Sequence, residues 1–339
     1  LSRSSKLRHV YKRWLILKAA LSMIIWRRAT LPGFIAIDPG NICNLQCPLC
    51  PTGSNRSDYP KGVLTFEGFK TLLNRAGKIR MLALTVRGEP LLNQDIFQMI
   101  SYARSKNIVV EIHSHFSLEK DACFFEHLVS SGLDVLSLSI DGVSQECYAR
   151  YRKGGDVELV KRNILTLLEV KKRLRSRTPF VVWQYLYHRF NSHEIAEARA
   201  LAKKLTMRFR LLPLRGYLML ADLKADDATS QSDYDEYWQD LNDCQVRKDL
   251  ASPLYTWSWT ARLRCCELLL TLPMINWDGG VFACCLLSKK ESVFGNLYEE
   301  ELGAIWNGAK YRSARLWTMY KKKELVEEDS PCLGCPHRF

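Results

Sequence analysis

The stretch that decides the fold is residues 34–50, which read FIAIDPGNICNLQCPLC. A short apolar run is followed by a loop in which Cys43, Cys47 and Cys50 have the spacing C-x3-C-x2-C. Three thiolates at this spacing can converge on one face of a loop and leave one iron of a [4Fe-4S] cluster without a protein ligand. Such an open position lets a metal site bind a substrate. The alternatives are a zinc knuckle without its fourth ligand, or cysteines packed as small apolar residues.

Strand and helix patterns alternate downstream of this loop. Runs with the composition of strands lie at 34–38, 81–86, 108–113, 135–140, 180–186 and 208–212. Helical patterns separate them at 65–76, 95–106, 118–131, 157–174 and 192–205. This alternation predicts βαβ units with a parallel sheet, and six of them indicate an α/β fold of the partial (β/α)6 TIM-like barrel type. The cysteine loop then lies at the carboxyl end of the first strand, where barrels carry their chemistry, which favours the open cluster.

The composition is typical of a globular intracellular protein. The chain has 339 residues, of which 47% are hydrophobic and 25% charged, so it can bury a sizeable core. No apolar run reaches the roughly 18 residues of a membrane-spanning helix. The sequence has 12 cysteines and no clean signal peptide, so we expect reduced cysteines that bind metal rather than disulfides.

The net charge of +13 is concentrated in residues 1–33, which hold eight Lys and Arg and no acidic residue. An apolar stretch that contains Trp14 and Trp26 lies among these charges and predicts a basic amphipathic helix that ends at Pro32. Its apolar face either packs on the domain behind it or brings residues 6–28 to an anionic membrane surface.

Three further motifs extend the pattern of the cysteine loop. The segment 87–90, Arg-Gly-Glu-Pro, ends the second predicted strand, 139–142, Ser-Ile-Asp-Gly, ends the fourth, and 151–155 reads Tyr-Arg-Lys-Gly-Gly. Each is weak alone, but their order at strand ends resembles the radical S-adenosylmethionine (SAM) superfamily. The resemblance implies that the cysteine loop binds a [4Fe-4S] cluster whose free iron is chelated by SAM. One electron then cleaves SAM to a 5′-deoxyadenosyl radical, which takes a hydrogen atom from the substrate.

The same resemblance assigns SAM binding to residues at the strand ends. They are Leu49, Arg87, Gly88, Glu89, Pro90, Ser114, His115, Ser139, Asp141 and Arg152. The Gly-Glu-Pro segment is expected to bind the amino group, and the Arg152 guanidinium the carboxylate. The chain departs from the family where Arg87 replaces the first glycine, where His115 replaces a common asparagine, and where Leu49 replaces a common aromatic residue.

A second group of cysteines lies near the end of the sequence. An Asp-Gly-Gly turn within 277–283 predicts a hairpin that brings Cys284 back toward the cysteine pair at 265–266. Cys332 and Cys335 form a C-x2-C pair downstream. Four thiolates from a hairpin and a tight loop make a closed site that fits zinc or an iron-sulfur cluster.

This region is similar to the SPASM/twitch extension of radical SAM enzymes. The matching segments are Gly279-x4-Cys284, Phe294-Gly295-Asn296-Leu297, Ile305-Trp306-Asn307, Arg312 and the final C-x2-C. The resemblance implies one auxiliary [4Fe-4S] cluster, and hence two clusters in all, because the sequence ends four residues after Cys335. Its expected ligands are Cys266, Cys284, Cys332 and Cys335, with Cys265 as the substitute for Cys266.

Five cysteines are left over by these assignments. Cys123 and Cys147 lie in helical patterns and are predicted to be buried as core residues. For Cys244, Cys285 and the spare member of the 265–266 pair, the return of a hydrogen atom to a substrate radical stays open, as in related epimerases.

The predicted organisation is a basic helix at 1–33, a radical SAM partial barrel at 34–215, a linker at 216–260 and a cysteine-rich α+β auxiliary-cluster domain at 261–339. The leading hypothesis is a radical SAM enzyme that acts on a small polar metabolite of the sugar, aminoglycoside or nucleotide-sugar type. The positive net charge of the chain is compatible with an anionic substrate.

Two other functions are less consistent with the sequence. A maturase of ribosomally made peptides is less favoured, because only 42 residues precede Cys43 and leave little room for a leader-binding domain. A non-enzymatic basic metal protein that binds nucleic acid is disfavoured, because the tryptophans lie on an apolar stripe and no recognition motif is present. We expect no nucleic acid partner, a flavodoxin or ferredoxin as electron donor, and a cytoplasmic location, peripheral to the membrane if residues 6–28 bind it.

Overall fold

The computed structural model describes residues 28–55, 57, 59–213, 266–284, 287 and 290–334. Residues 1–27 of the predicted basic helix, the predicted linker at 216–260, and the candidate ligands Cys265 and Cys335 lie outside these ranges.

Six parallel strands form the main part of the sheet. They are β1 Phe34–Ile37, β2 Met81–Ala83, β3 Val109–Ser114, β4 Val135–Ser139, β5 Phe180–Tyr187 and β6 Arg208–Pro213. The strands pair in chain order, β1 with β2 through to β5 with β6, and every pair is parallel. Four of the five residues of β4 are buried, as expected of a parallel strand with both faces covered. The predicted α/β fold of the partial-barrel type is confirmed.

Helices cross between successive strands. They are α1 Phe66–Arg75, α2 Ile96–Ser105, α3 Ala122–Ser130, α4 Gln145–Tyr151, α5 Val157–Arg173 and α6 Ile195–Lys204. Thr65, Asp121, Ser144 and Asp156 begin four of them and accept a backbone N–H bond in the first turn, which stabilises the helix start. The five predicted helices are present, and α4 is an addition. In the described ranges, none of the helices has both the length and the apolar character needed to cross a membrane.

The predicted hairpin is present and continues the barrel sheet. The C-terminal elements are α7 Glu267–Thr271, β7 Met274–Ile275, β8 Gly280–Phe282, β9 Gly295–Asn296, α8 Leu302–Trp306 and α9 Ala309–Tyr320. Strand β7 pairs with β1 in parallel, while β8 and β9 follow in antiparallel order. Ala83, Ala36, Met274 and Phe282 stand opposite one another across four strands and are buried together. The C-terminal part therefore shares a core layer with the barrel.

The segment that leads into β1 is bonded to the C-terminal helices. The backbone N–H of Ala29 donates to the Asn307 side chain at 2.9 Å, and the Trp306 indole N–H donates to the Thr30 carbonyl at 3.1 Å. These bonds are a second connection between the barrel and the C-terminal part, besides the pairing of β7 with β1. The domain boundaries proposed from the sequence stay predictions.

Candidate active site

The loop after β1 brings its three cysteines into one cluster. Cys47 is buried, Cys43 and Cys50 are half-buried, and the three pack together with Leu49 and Tyr151. The backbone N–H of Cys50 donates to the carbonyl of Cys47 at 3.2 Å, which closes the loop on itself. The convergence expected from the C-x3-C-x2-C spacing is therefore present.

Burial opposes ionisation of two of the three thiols, those of Cys43 and Cys47. Loss of solvation raises the pKa of Cys43 to about 12, and that of Cys47 to about 11 although the Arg152 charge acts in the other direction. A thiol with such a pKa is not a nucleophile at neutral pH, whereas metal binding holds buried sulfur as thiolate. The donor set fits an iron-sulfur cluster and does not fit an activated catalytic thiol.

Glu89 joins the end of the second strand to the segment after the third. Its carboxylate is 3% exposed and accepts the backbone N–H groups of Leu91 at 3.1 Å and His115 at 3.0 Å. The Nδ1 atom of His115 accepts the N–H of Ser117 at 3.0 Å, so Nε2 carries the proton. Nε2 lies 3.0 Å from the Asn44 amide oxygen and 3.2 Å from Glu89. Burial lowers the pKa of His115, which keeps this ring neutral beside the cysteine loop.

Asp141 and Arg152 form a buried ion pair beside the same loop. The Arg152 Nε atom lies 2.6 Å from Asp141 Oδ2, and its Nη1 atom lies 3.9 Å from the sulfur of Cys47. The backbone joins these segments as well, because the N–H of Gln46 donates to the carbonyl of Lys153 at 2.8 Å. Asp141 thus fixes the direction of a guanidinium that reaches the cysteines.

Arg87 departs from the family pattern, and its side chain is directed at the C-terminal hairpin. The guanidinium lies 4.3 Å from the centroid of the Phe282 ring and donates to the carbonyl of Leu287. Its backbone N–H donates to Asp38 Oδ2 at 3.1 Å. Asp38 is fully buried, and this burial raises its pKa to about 7 in spite of the Arg87 charge. Sequence reasoning missed Asp38, although an acid that directly follows a buried strand was a usable signal.

Three of the remaining predicted residues shape the backbone near Glu89. A Cβ atom on Gly88 would lie 1.9 Å from the carbonyl oxygen of Gly40, so the two loops touch only because this residue is glycine. Pro90 opens the short 3-10 helix Pro90–Leu92. The hydroxyl of Ser114 accepts the N–H of Phe116 at 2.9 Å and holds the turn after β3.

Two other predicted residues flank the same region. Leu49 is buried in the cysteine cluster, and Ser139 is the last residue of β4, two positions before Asp141. The SAM-binding roles of all these residues stay predictions.

The second group of cysteines lies on segments that contact α9, the helix that carries Tyr311. Cys266 directly precedes α7, Cys332 lies in the 3-10 helix Pro331–Gly334, and both helices contact α9. Tyr311 is fully buried, and its hydroxyl donates to the carbonyl of Phe282 at 3.2 Å. Burial raises its pKa, although the charge of Arg315 acts in the other direction. Because Phe282 lies two residues before Cys284, three of the four predicted ligands lie on segments that contact α9.

Arg315 is a buried cation in this region that sequence reasoning missed. Its Nε donates to the carbonyl of Leu269 at 2.8 Å and its Nη1 to that of Trp306 at 2.6 Å. The guanidinium lies 4.3 Å from the Trp306 ring and 4.9 Å from the Tyr311 ring. A buried positive charge near several cysteines suits a thiolate-bound metal or cluster, whose potential depends on its net charge and surroundings.

Cys123 and Cys147, the two barrel cysteines outside the loop, differ in solvent exposure. Cys147 is buried as predicted. Cys123 is exposed, so the prediction that it is a core residue is wrong, because α3 buries Phe125, Leu128 and Val129 on its other face.

Comparisons with known proteins identify two domains. The model of the radical SAM superfamily matches residues 37–199, and that of the SPASM iron-sulfur cluster-binding domain matches residues 265–336. The first range contains the cysteine loop, and the second contains every predicted auxiliary ligand.

Relatives of known activity share modest identity with the chain. The AdoMet-dependent heme synthase of Methanosarcina barkeri is 24% identical, over 91% of this chain and 92% of that protein. The GTP 3',8-cyclase of Syntrophomonas wolfei is 26% identical, over 50% of this chain and 51% of its own length.

Solved structures agree on the fold. Streptococcus suis SuiB bound to S-adenosylmethionine is 17% identical with a TM-score of 0.62, over 94% of this chain and 75% of that one. His-tagged anSMEcpe with bound AdoMet is 15% identical with a TM-score of 0.60, over 88% of this chain and 86% of that one. The chain is a radical SAM enzyme that carries a C-terminal SPASM iron-sulfur cluster-binding domain.

Proposed function

We propose that this enzyme cleaves SAM reductively at Cys43, Cys47 and Cys50, and uses the 5′-deoxyadenosyl radical to take a hydrogen atom from a small polar molecule. The observation that carries this proposal is the convergence of Glu89 and Arg152 on the cysteine loop. When bound there, a reduced [4Fe-4S] cluster supplies the electron that cleaves SAM.

The protein groups around this loop are suited to hold SAM before it reacts. Asp141 orients Arg152, so that the remaining N–H groups can receive a carboxylate without reorganisation. The oxygens of Glu89 already accept backbone N–H groups, and Oε1, which accepts only that of Leu91, keeps a lone pair for the SAM ammonium. The neutral His115 donates its single Nε2 proton to the Asn44 amide oxygen, which makes it a positioning residue for the cysteine loop.

The C-terminal site is proposed to hold one auxiliary [4Fe-4S] cluster. Its ligands would be Cys266, Cys284, Cys332 and Cys335, with Cys265 as the substitute for Cys266. The attachment of Cys266, Cys284 and Cys332 to segments that contact α9 supports this assignment. A flavodoxin or ferredoxin would supply the electrons.

A small-molecule substrate is favoured over a peptide. One relative that spans nearly the whole chain is named for the synthesis of heme, and another relative is named for the cyclisation of GTP; both names are of small molecules. The half-buried Arg87 adds a positive charge beside the C-terminal hairpin, two positions before Glu89, which supports an anionic group on the substrate. SuiB has also been solved bound to a precursor peptide, and its likeness to this chain concerns the fold alone.

The proposal is tested by the amount of 5′-deoxyadenosine formed under anaerobic conditions. The protein with reconstituted clusters is reduced with dithionite and given SAM, together with either the small-metabolite or the peptide fraction of a cell extract. We expect 5′-deoxyadenosine to rise above the substrate-free rate with the small-metabolite fraction. Replacing Cys43, Cys47 and Cys50 by alanine should abolish it, whereas the exposed Cys123→Ala should leave it unchanged. Absence of 5′-deoxyadenosine contradicts the chemistry, and stimulation by peptides alone contradicts the substrate class.

A further inference from the structure

A third set of metal-ligating side chains lies where α4 meets the segment after β5. Cys147 belongs to α4, and His193 and Glu194 belong to the short 3-10 helix Ser192–Glu194. One ligand atom from each side chain lies within 4.8 Å of the other two, and among the residues that the structure describes this is the one such trio of His, Cys, Asp or Glu. None of these three residues belongs to the cysteine loop or to the C-terminal group of cysteines.

The distance between sulfur and nitrogen matches a tetrahedral metal site. Zinc bonds to sulfur at about 2.3 Å and to imidazole nitrogen at about 2.0–2.1 Å, which at tetrahedral angles puts the two ligand atoms about 3.5 Å apart. The Sγ atom of Cys147 lies 3.5 Å from Nε2 of His193. The pair needs no rearrangement to bind one ion between them.

Glu194 is held in the way that ligating carboxylates usually are. Its Oε2 accepts the N–H of Val143 at 2.6 Å, and its Oε1 accepts the N–H of Ser144 at 3.2 Å. These bonds fix the carboxylate and leave lone pairs for a metal. Cys147 and Glu194 are buried while His193 is exposed, so an ion has a route in and water can complete its coordination.

A catalytic thiol is the competing explanation for this trio, and the electrostatics oppose it. Burial raises the pKa of Cys147, and the neighbouring Glu194 charge raises it further. The thiol donates to the carbonyl of Phe190 at 3.3 Å. A reactive cysteine needs cationic surroundings instead, and a bound cation would provide them.

We propose that Cys147, His193 and Glu194 bind one zinc ion, with water as the fourth ligand, and that this ion braces the Asp141–Arg152 pair. Arg152 follows directly on the last residue of α4, so the ion holds the helix that carries it. On the other side, the Asn191 amide donates to the carbonyl of Asp141 at 2.8 Å. Both partners of the pair are therefore attached to elements that the ion would join.

The experiment is a zinc titration of the protein with both reconstituted clusters in place, against a chromophoric zinc chelator. Cys147→Ser and His193→Ala each remove one ligand, and the second changes an exposed side chain with little risk to folding. The matched control is Cys123→Ser, because Cys123 and His127 form another cysteine–histidine pair, at 3.8 Å, outside any trio in the described ranges.

We expect one zinc site in the wild type and in Cys123→Ser. In the two ligand variants the zinc affinity should fall by about 100-fold or more, since loss of a residue that merely hydrogen-bonds to a ligand already lowers metal affinity about 10–100-fold. The dissociation constant for SAM should rise several-fold in His193→Ala. Equal zinc binding by wild type and Cys147→Ser would overturn the site, because the metal would then be held elsewhere. Zinc binding that leaves the SAM affinity unchanged would overturn the bracing role.

Discussion

Replacing Arg152 by methionine is expected to destabilise the barrel strongly. Asp141 is 0% exposed and its Oδ2 lies 2.6 Å from Arg152 Nε, so the variant leaves a buried carboxylate without its counter-charge. Removal of one partner from a buried ion pair costs about 3–5 kcal/mol. The N–H of Leu186 still donates to Asp141 Oδ1 at 2.7 Å, but this bond does not replace the lost charge.

The double variant Asp141→Asn with Arg152→Met separates charge from packing. It leaves neither charge buried, and an asparagine oxygen can still accept the Leu186 N–H, so most of the lost stability should return. If Arg152 stabilised the fold only through the shape of its guanidinium group, the double variant would recover none of the lost stability.

The assay is anaerobic urea unfolding followed by circular dichroism. The matched control is Arg173→Met, since Arg173 pairs with Glu126 where the two side chains are 57% and 41% exposed. A surface pair contributes about 0–1 kcal/mol. The reasoning is refuted if Arg152→Met costs no more than Arg173→Met, or if the double variant is no more stable than the single one.

Two further substitutions test other contacts of the site. Because burial raises the pKa of Asp38 to about 7 from 3.8, the folded state keeps a proton that the unfolded state releases. The free energy of unfolding of the wild type should therefore fall by about 1.4 kcal/mol per pH unit relative to that of Asp38→Asn between roughly pH 4 and 7. Above about pH 8 the two free energies should change with pH in the same way. A constant difference between the two in urea titrations from about pH 4 to 7 would show that Asp38 is ionised throughout. Gly88→Ala would place a Cβ 1.9 Å from the Gly40 carbonyl oxygen, so we expect a loss of about 1–3 kcal/mol together with weaker SAM binding. Gly77→Ala, at φ +73 with nothing within 4 Å of its Cβ, should add backbone strain but leave SAM affinity unchanged, and equal SAM affinity in both variants would count against the role of the Gly88 contact.

The barrel was predictable because strand-like and helical patterns alternate along residues 34–213. The runs at 81–86 and 135–140, MLALTV and VLSLSI, are mostly apolar and short, and helical patterns lie between such runs. Helix α4 was missed because Gln145–Tyr151 spans only two turns and shows no full apolar period. The parallel pairing of β7 with β1 was missed for a different reason: it depends on a contact between distant segments that no local pattern encodes.

The candidate site was predictable where spacing decides it. The convergence of the cysteine loop follows from three cysteines within eight consecutive residues, 43–50. The direction of the Arg87 side chain depends instead on Phe282, which is distant in sequence. The different burial of Cys123 and Cys147 likewise depends on which helix face meets the sheet. Asp38 was missed because its burial, rather than its residue type, makes it unusual.

The most direct measurement is the iron content per chain after anaerobic reconstitution, with 5′-deoxyadenosine measured on the same samples. Two [4Fe-4S] clusters predict about eight irons in the wild type. Replacing Cys43, Cys47 and Cys50 by alanine should leave about four irons and no 5′-deoxyadenosine, and replacing Cys284 and Cys332 should leave about four irons with SAM cleavage retained. A wild type with about four irons, unchanged by the second set of substitutions, would contradict the account of the C-terminal site. A wild type that holds no iron would contradict the account as a whole.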